Sequence, residues 1–316
     1  MSLVSQASGE PAARTRVSAR RVRQNIEGYI CIAPWLVGFF VFTLAPMVFS
    51  LYLSFTQWEL AGAAPTWVGL DNFKRLLTDR NFSKSLYNTA YYAVFMVPSG
   101  ATLAFLLAVL LNQEVRGRAL FRTLFYIPAI TPAVASAVLW LWMLQPQFGL
   151  INMGLRVLGV AGPNWLGRTT WVKPAIILMG LWGQGQSIII FLAGLQGVPR
   201  SLYEAAEVDG ANSLQQFLHV TLPMMTPTIF FVLVMGLIGA MQAFTQAYVL
   251  TQGGPANASL FYVLYLYLVG FRYFNISYAS VLAWVLFVII LILTLIQFKL
   301  SSRWVYYEGE GASQSA

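Results

Sequence analysis

The chain has 316 residues, of which 58% are hydrophobic and only 9% are charged. A soluble domain carries roughly 25% charged residues because its surface must be solvated, so this composition excludes an ordinary water-soluble domain and indicates a chain that largely faces lipid. The formal net charge of +8 does not indicate a nucleic-acid partner. Five arginines between Arg14 and Arg23 lie just before the first apolar run, as expected for the orientation signal of a membrane protein.

The predicted elements are apolar helices separated by charged loops. A spanning helix needs about 20 apolar residues. The chain therefore predicts an all-α integral membrane protein with about six transmembrane helices, at residues 28–55, 86–112, 121–144, 174–198, 222–250 and 278–300. We expect a disordered cytoplasmic tail at 1–25, a transmembrane domain at 26–302 and a cytoplasmic tail at 303–316.

The first apolar run has one alternative interpretation, a cleavable signal peptide. The apolar region of a signal peptide has only about 7–15 residues. The run at 28–55 is about twice that length, which favours a retained helix. The arginines before it place the N-terminus in the cytoplasm, and six spans return the C-terminus to the same side.

Residues 260–274 are the one candidate for a seventh span. Their apolar stretch is about 12 residues long before Arg272 interrupts it, which is too short to cross a membrane. The segment is rich in Tyr and Phe, which favour the membrane–water boundary. We therefore predict a helix at the outer interface.

The loop at 199–221, between the fourth and fifth spans, predicts a compact helix–turn–helix. Ser201 and Glu204 have the spacing of a capping box, which begins a short helix. Asp209 and Gly210 form a turn dipeptide that ends it. The first limb is acidic and rich in alanine. An ordinary capped loop is the alternative, because capping boxes are common.

The second limb of this loop is predicted to be a helix that ends near Val220. Asn212 or Ser213 can accept the hydrogen bonds of its N-terminus. Leu222 and Pro223 then open the next span, since proline is favoured in the first turn of a helix. A short rigid element of this kind can transmit force from a cytoplasmic partner into the membrane helices.

The loop resembles the EAA loop of ABC importer permeases, which forms a coupling helix seated in a cleft of the cytoplasmic ATPase. The matching residues follow in order at family spacing: Glu204-Ala205-Ala206, Asp209-Gly210-Ala211 and Leu222-Pro223. The resemblance extends over nearly the whole chain, to the subgroup with the maltose and glycerol-3-phosphate permeases. Further matching segments are Ala33-Pro34-Trp35, 68–73, Asn88-Thr89, Ile127-Pro128 and 251–255.

The resemblance implies a type I ABC importer permease fold and a set of partners. These are a second homologous permease subunit, a cytoplasmic ATPase dimer that binds ATP and magnesium, an extracellular substrate-binding protein and the lipid bilayer of a bacterial or archaeal cell. The chain itself has no G-x-x-x-x-G-K-[ST] phosphate loop, so no cofactor is expected in it. Function is expected to be translocation of a sugar or oligosaccharide.

Polar residues inside the fourth and fifth spans are the candidate substrate pathway. Neutral sugars require hydrogen-bonding groups, and amides near mid-membrane are costly unless they face a cavity or another helix. Gln242 and Gln246 are four residues apart and would share one helix face. The predicted pathway residues are Gly183, Gln186, Gln242, Thr245 and Gln246.

A strip of small residues in the fifth span has two interpretations. Gly236, Gly239, Ala240 and Ala243 either allow close packing against a neighbouring helix or line the pathway. The positions that match sugar contacts in the maltose permease are 129, 183, 186, 236, 239, 240, 243 and 245. Several of them are aromatic or asparagine in that permease and small here.

Three other functions remain as alternatives. A glycerol-3-phosphate importer would need cationic groups to bind a phosphate, and the predicted spans carry a cation only at their ends, Arg122 and Lys299. A stand-alone secondary carrier or channel would leave the EAA-like loop without a purpose, and proton coupling usually needs a buried ionisable group. An enzyme or metal site is disfavoured, because His219 is the only histidine and no catalytic motif occurs.

Overall fold

The computed structural model describes residues 19–58, 64–113 and 116–306, with side chains described from Glu27 onward. The predicted cytoplasmic tails at 1–25 and 303–316 fall mostly on residues outside these ranges. Residues 19–25 form the first turns of a helix. Two units are distinguished, Met1–Tyr52 and Leu53–Ala316, and each is described by itself.

The described residues are mostly helical. A two-residue antiparallel pair, β1 Thr56–Gln57 and β2 Thr66–Trp67, joins Thr56 to Trp67 and Gln57 to Thr66. Three π-helical turns lie at Phe40–Leu44, Phe217–Thr221 and Leu268–Arg272. The α-helices are α1 Ala19–Phe39, α2 Ala45–Ser54, α3 Asp71–Thr78, α4 Arg80–Asn112, α5 Arg118–Ile130, α6 Ala133–Met143, α7 Leu150–Val157, α8 Val172–Trp182, α9 Gly185–Gln196, α10 Arg200–Val208, α11 Ser213–Gln216, α12 Leu222–Met224, α13 Thr226–Met241, α14 Thr245–Thr251, α15 Tyr262–Tyr267 and α16 Ile276–Ser301.

Three uninterrupted helical segments are long and apolar enough to cross a membrane: Glu27–Ser54, Arg80–Asn112 and Ile276–Ser301. Three further spans are broken into bent pairs of helices. The bend is 101° between α5 and α6, 46° between α8 and α9, and 60° between Ser213–Met224 and α13. Counting each pair as one span gives six, which confirms the predicted all-α membrane fold.

Helix α4 lies at the centre of the larger unit and packs against α8, α9 and α13. It continues without a break through Pro98. Ala104 and Ala108, one turn apart on α4, are completely buried. Small side chains at this spacing let neighbouring helices approach closely, which membrane helices need because lipid supplies no hydrophobic drive for their association.

The two larger apolar clusters of this unit lie towards its opposite ends. One contains Leu111 at the end of α4 together with Phe191, Leu195, Tyr203 and Phe217, so it joins the spans to the 199–221 loop. We call this end of the unit the loop end. The other cluster lies towards the opposite end, where α4 begins and where α15 packs against α4 and α16.

Helix α15 and the π-helical turn after it occupy the segment predicted as an interfacial helix. The run Tyr262–Arg272 is too short to count as a span, in agreement with the prediction of six. The segment is packed inside the protein, because Phe261, Tyr262 and Leu264 are completely buried in its core. Aromatic composition alone does not distinguish a side chain that faces lipid headgroups from one that packs inside a bundle.

Candidate functional site

A cavity of about 340 Å³ lies among α4 and the broken third, fourth and fifth spans. Its walls come from α4, from the turn between α5 and α6, from the break between α8 and α9, and from α13 and α14. No residue of its lining is charged, and Trp182 gives it an indole surface. The polar side chains that line it are Tyr92, Thr131, Ser136, Gln184, Ser187 and Gln246.

The break between α8 and α9 positions an amide in this cavity. Gly183 ends α8, with its N–H donating to the Gly180 carbonyl at 3.1 Å, and Gln184 precedes α9. The Gln184 side-chain Nε2 donates to the same carbonyl at 3.1 Å. Gly100 on α4 provides the space, because a methyl group there would lie only 3.1 Å from the Gln184 amide.

The fifth span supplies the opposite wall but ends earlier than predicted. Helix α13 stops at Met241, and the N–H of Gln242 donates to the Gly239 carbonyl at 3.2 Å. A new helix begins at Thr245. The expectation that Gln242 and Gln246 share a helix face is therefore wrong, since spacing of four aligns two side chains only where the helix continues between them.

The predicted pathway residues divide between the cavity and its surroundings. Gly183 and Gln246 line the cavity. Gln186 is exposed on α9, Gln242 is exposed at the end of α13 and Thr245 is half-buried, and all three lie outside the lining.

Sequence reasoning missed several lining residues. The polar run at 183–187 indicated the right segment, but it could not show that Gln184 and Ser187 face the cavity and Gln186 does not. The 46° bend between α8 and α9 sets that choice. Tyr92 and Trp182 carried no distinguishing signal, because aromatic residues are common in every apolar helix of this chain.

The small-residue strip serves both of the roles considered for it. A side chain at Gly236 would approach Val97 of α4 to 3.2 Å, so this glycine permits close packing of α13 on α4. Gly239 has open space where a side chain would be, and it lines the cavity with Ala240 and Ala243. Small residues here determine the width of the cavity.

The first limb of the 199–221 loop is α10, and its N-terminus differs from the prediction. Pro199, with φ −60° and ψ 131°, precedes the helix, and no side chain caps it. The predicted capping box of Ser201 and Glu204 is therefore wrong. The extended backbone at Pro199 starts the helix at Arg200, which places Ser201 inside the first turn. Glu204 and Ala205 are exposed and Ala206 is half-buried.

The end of α10 confirms the predicted turn. Asp209 ends the helix and Gly210 has a φ of +79°, in the left-handed region that favours glycine. The Gly210 N–H donates to the Glu207 carbonyl at 3.0 Å, and the Ala211 N–H donates to the Ala206 carbonyl at 2.9 Å. These two bonds satisfy carbonyls that the end of a helix leaves unpaired.

The second limb begins with a capping box at Asn212. Its side chain accepts from the Gln215 N–H at 2.9 Å, and the Gln215 side chain accepts from the Asn212 N–H at 2.8 Å. The Tyr203 hydroxyl lies 2.9 Å from the Thr221 hydroxyl and joins the two limbs. The loop is therefore a braced helical hairpin and not an ordinary flexible connection.

Leu222 and Pro223 lie in α12, which follows the second limb through a π-helical turn. The 60° bend then separates α12 from α13. The predicted start of the fifth span is thus continuous with the loop.

A carboxylate organises the end of the unit opposite the loop. Asp79 precedes α4, and its Oδ1 accepts from the N–H groups of Asn81 and Phe82 at 2.9 and 3.2 Å. Its Oδ2 accepts from the hydroxyls of Tyr265 and Tyr278 at 2.5 and 2.6 Å. Burial raises the pKa of the Asp79 carboxyl, but these four hydrogen bonds outweigh burial, so the pKa lies below its usual value.

Comparison with known proteins agrees with this architecture. Residues 100–306 match the family described as binding-protein-dependent transport system inner membrane component. The chain is 44% identical to the "Probable ABC transporter permease protein YesP" of Bacillus subtilis, covering 92% of this chain and 96% of that one. It is 35% identical to the arabinooligosaccharides transport system permease protein AraP of the same species, covering 90% of each chain.

Among solved structures, the fold resembles a bacterial ABC transporter involved in the import of the acidic polysaccharide alginate. The TM-score is 0.80 at 25% identity, with 90% of this chain and 98% of that chain covered. The family match extends over most of the described residues, including the cavity walls of α5 to α14 and the braced loop. The chain therefore belongs to the family of inner membrane components of binding-protein-dependent transport systems, the permeases of ABC importers.

Proposed function

We propose that this chain translocates a neutral oligosaccharide, and the observation that carries the proposal is the uncharged polar cavity between its broken spans. Amide, hydroxyl and aromatic groups are the partners that a neutral sugar requires. The proposed contacts are Gly183, Gln184, Ser187 and Gln246, with Trp182 as a stacking surface. The similarity to a permease for arabinooligosaccharides supports this class of substrate.

The same cavity disfavours an anionic substrate such as glycerol-3-phosphate. Recognition of a phosphate or a carboxylate favours arginine or lysine, because charge-assisted hydrogen bonds are about twice as strong as neutral ones. The cavity lining contains no cation. The alginate importer moves an acidic polymer, so the fold by itself does not determine the charge of the substrate.

The proposed energy source is ATP hydrolysis in a partner subunit. The exposed limb α10, with Glu204, Ala205 and Ala206, would seat in the ATPase, and the turn at Asp209, Gly210 and Ala211 would hold its angle. A second permease would complete the pathway and an extracellular binding protein would deliver the sugar. ATP and magnesium would be bound by the ATPase, since this chain has no phosphate loop.

The proposed motion is a rocking of the fourth and fifth spans about their bends. The loop connects α9 to α12, so a displacement of α10 pulls on both spans together. The bends at Gly183 and at Met225 would absorb the change of angle. The cavity between these bends would then open alternately towards each side of the membrane.

The test begins with the complex in its own membrane. The tagged chain is purified in mild detergent and its partners are identified by mass spectrometry. We expect an ATPase with a phosphate loop, a second multi-span permease and a binding protein that takes neutral oligosaccharides. A chain that is recovered alone, even after cross-linking from a cysteine at Ala206, would contradict the importer and favour a stand-alone carrier.

Uptake by the reconstituted complex then tests the cavity. We expect Gln184→Leu to lower sugar uptake about tenfold, because a buried polar contact to the substrate is worth roughly 1–3 kcal/mol. Gln196→Leu is the control, since Gln196 is exposed in the last turn of α9, the helix that Gln184 precedes, and does not line the cavity. Equal uptake by both variants would place the pathway elsewhere.

A further inference from the structure

A second cavity opens on the surface of the bundle at its loop end. It measures about 270 Å³ and lies among the end of α4, α5 and α9. Most of its lining is apolar, from Leu111, Phe125, Ile188, Ile189 and Leu192. We call it the α5–α9 groove. It is separate from the uncharged cavity, which shares none of its lining residues.

The floor of the groove is set by a close approach of two helices. At Gly185 a side chain would lie 2.7 Å from the Phe125 carbonyl oxygen and 2.9 Å from the Ala129 methyl group. Helices α5 and α9 therefore touch at the level of the helix break. Beyond this contact the groove presents Ile188, Ile189 and Leu192 of α9, side chains against which a hydrocarbon chain can pack.

One guanidinium breaks the apolar character of the groove. Arg122 lines it and donates from Nη2 to the Leu111 carbonyl at 3.1 Å. Its Nε is buried without a hydrogen-bond partner. A guanidinium has five N–H donors, and among the described residues only this one acceptor and no carboxylate pairs with it. A guanidinium with a buried, unpaired donor is costly unless an anion binds to it.

The anion that pairs with Arg122 should also carry an apolar group, because the rest of the groove is mostly apolar and open. Ile189 and Phe125 are 45% and 38% exposed, so the groove is open at its side. Arg118 precedes Arg122 by one helical turn and shares its face of α5, so positive charge continues towards the loop end. An anionic headgroup with an acyl chain complements both parts of this surface: phosphate for the arginines and hydrocarbon for the groove.

We propose that the α5–α9 groove binds an anionic phospholipid from the leaflet at the loop end. Arg122 holds the headgroup phosphate, Arg118 adds to its attraction, and one acyl chain lies along Ile189 and Leu192. The site does not depend on the identity of the transported substrate. Because α9 leads into the 199–221 loop, lipid in this groove braces the helix that carries the coupling motion.

The experiment measures lipid retention by the full-length chain. Delipidated protein is incubated with phosphatidylglycerol or, separately, with phosphatidylcholine in mixed micelles, and bound lipid is counted by native mass spectrometry. We expect one tightly held phosphatidylglycerol and weaker binding of phosphatidylcholine. Arg122→Gln should weaken phosphatidylglycerol binding about tenfold, the effect of losing a charge-assisted contact.

Two further variants separate binding from folding and from net charge. Ile189→Trp fills the groove and leaves Arg122 in place, and it should also weaken phosphatidylglycerol retention about tenfold. If Arg122→Gln fails to fold, this variant is the test of lipid binding in the groove. Arg303→Gln removes the same charge from an exposed position after α16 and should retain lipid normally. The proposal is overturned if Arg122→Gln and Ile189→Trp retain phosphatidylglycerol as the parent does, or if both lipids bind equally. It is also overturned if Arg122→Gln and Ile189→Trp keep their lipid and lose only their association with another subunit.

Discussion

At the residue scale, Asp79 joins three parts of the chain that are distant in sequence. It caps α4 through two backbone N–H groups, and its other oxygen accepts from Tyr265 on α15 and Tyr278 on α16. The Arg75 guanidinium lies 4.2 Å from the centre of the Tyr278 ring. One carboxylate therefore fixes the angle between the long central helix and the last span.

We expect Asp79→Asn to lower the free energy of unfolding by about 2 kcal/mol at pH 7, because hydrogen bonds to a charged group contribute about 1.5–3 kcal/mol. The control is Asp71→Asn, which removes an exposed ion pair with Lys74 at 2.8 Å and should cost less than about 1 kcal/mol. Thermal unfolding in detergent measures both.

The pH dependence of this difference follows from the pKa of Asp79. The folded-state pKa lies below the unfolded value of about 3.9. The stabilisation is therefore complete above the unfolded pKa and is lost as the pH falls through the folded pKa. The difference in the free energy of unfolding between the parent and Asp79→Asn should therefore become smaller below about pH 4. If this free-energy difference grew on acidification, the lowered pKa of Asp79 would be contradicted.

At the element scale, the angle of α10 depends on a backbone conformation that only glycine adopts readily. Gly210 has a φ of +79° with no atom within 4 Å of where a side chain would be. Its N–H donates to Glu207. A substitution there changes the turn without causing a steric clash, so any loss of function reports on the direction of the helix.

We expect Gly210→Pro to abolish most ATPase association and transport, because proline fixes φ near −65° and removes the N–H. Gly159→Pro is the matched control. Gly159, after α7, also has a positive φ (+75°) and open space, and its N–H donates to the Arg156 carbonyl at 3.0 Å. Co-purification of the ATPase is the measurement. Equal loss in both variants would show a general folding defect and not a coupling role.

At the scale of the whole molecule, the two ends of the bundle should face opposite sides of the membrane. Val208 on α10 is 88% exposed at the loop end, and Val157 on α7 is 87% exposed in the loop after the third span. Only the fourth span, α8 and α9, lies between the loop that follows α6 and the 199–221 loop, so one membrane crossing separates them. A single reactive group at each position therefore tests the topology directly.

We expect Val157→Cys to react with a membrane-impermeant maleimide in intact cells, and Val208→Cys to react only after the membrane is opened. Each cysteine is introduced into a Cys31→Ala variant, which lacks the single native cysteine. The physical reason is the positive-inside rule applied to the N-terminal arginines. Reaction of Val208→Cys in intact cells would invert the orientation and remove the loop from the reach of a cytoplasmic ATPase.

The sequence by itself determined the features that depend on local chemistry. Apolar length fixed the number of spans, because every backbone polar group in lipid must be satisfied within a helix. The turn at Gly210 and the cap at Asn212 were also predictable, because their hydrogen bonds join residues only three to five apart in the sequence. The order of acid, alanines and glycine is the sequence feature on which the proposed coupling role of this loop rests.

Only the tertiary structure decided which residues share a cavity. The bend between α8 and α9 turns Gln184 inwards and Gln186 outwards, and the end of α13 at Met241 separates Gln242 from Gln246. The partners of Asp79 are 186 and 199 residues away. Contacts at such separation arise from the packing of helices, and helical periodicity does not extend across a bend or from one span to the next.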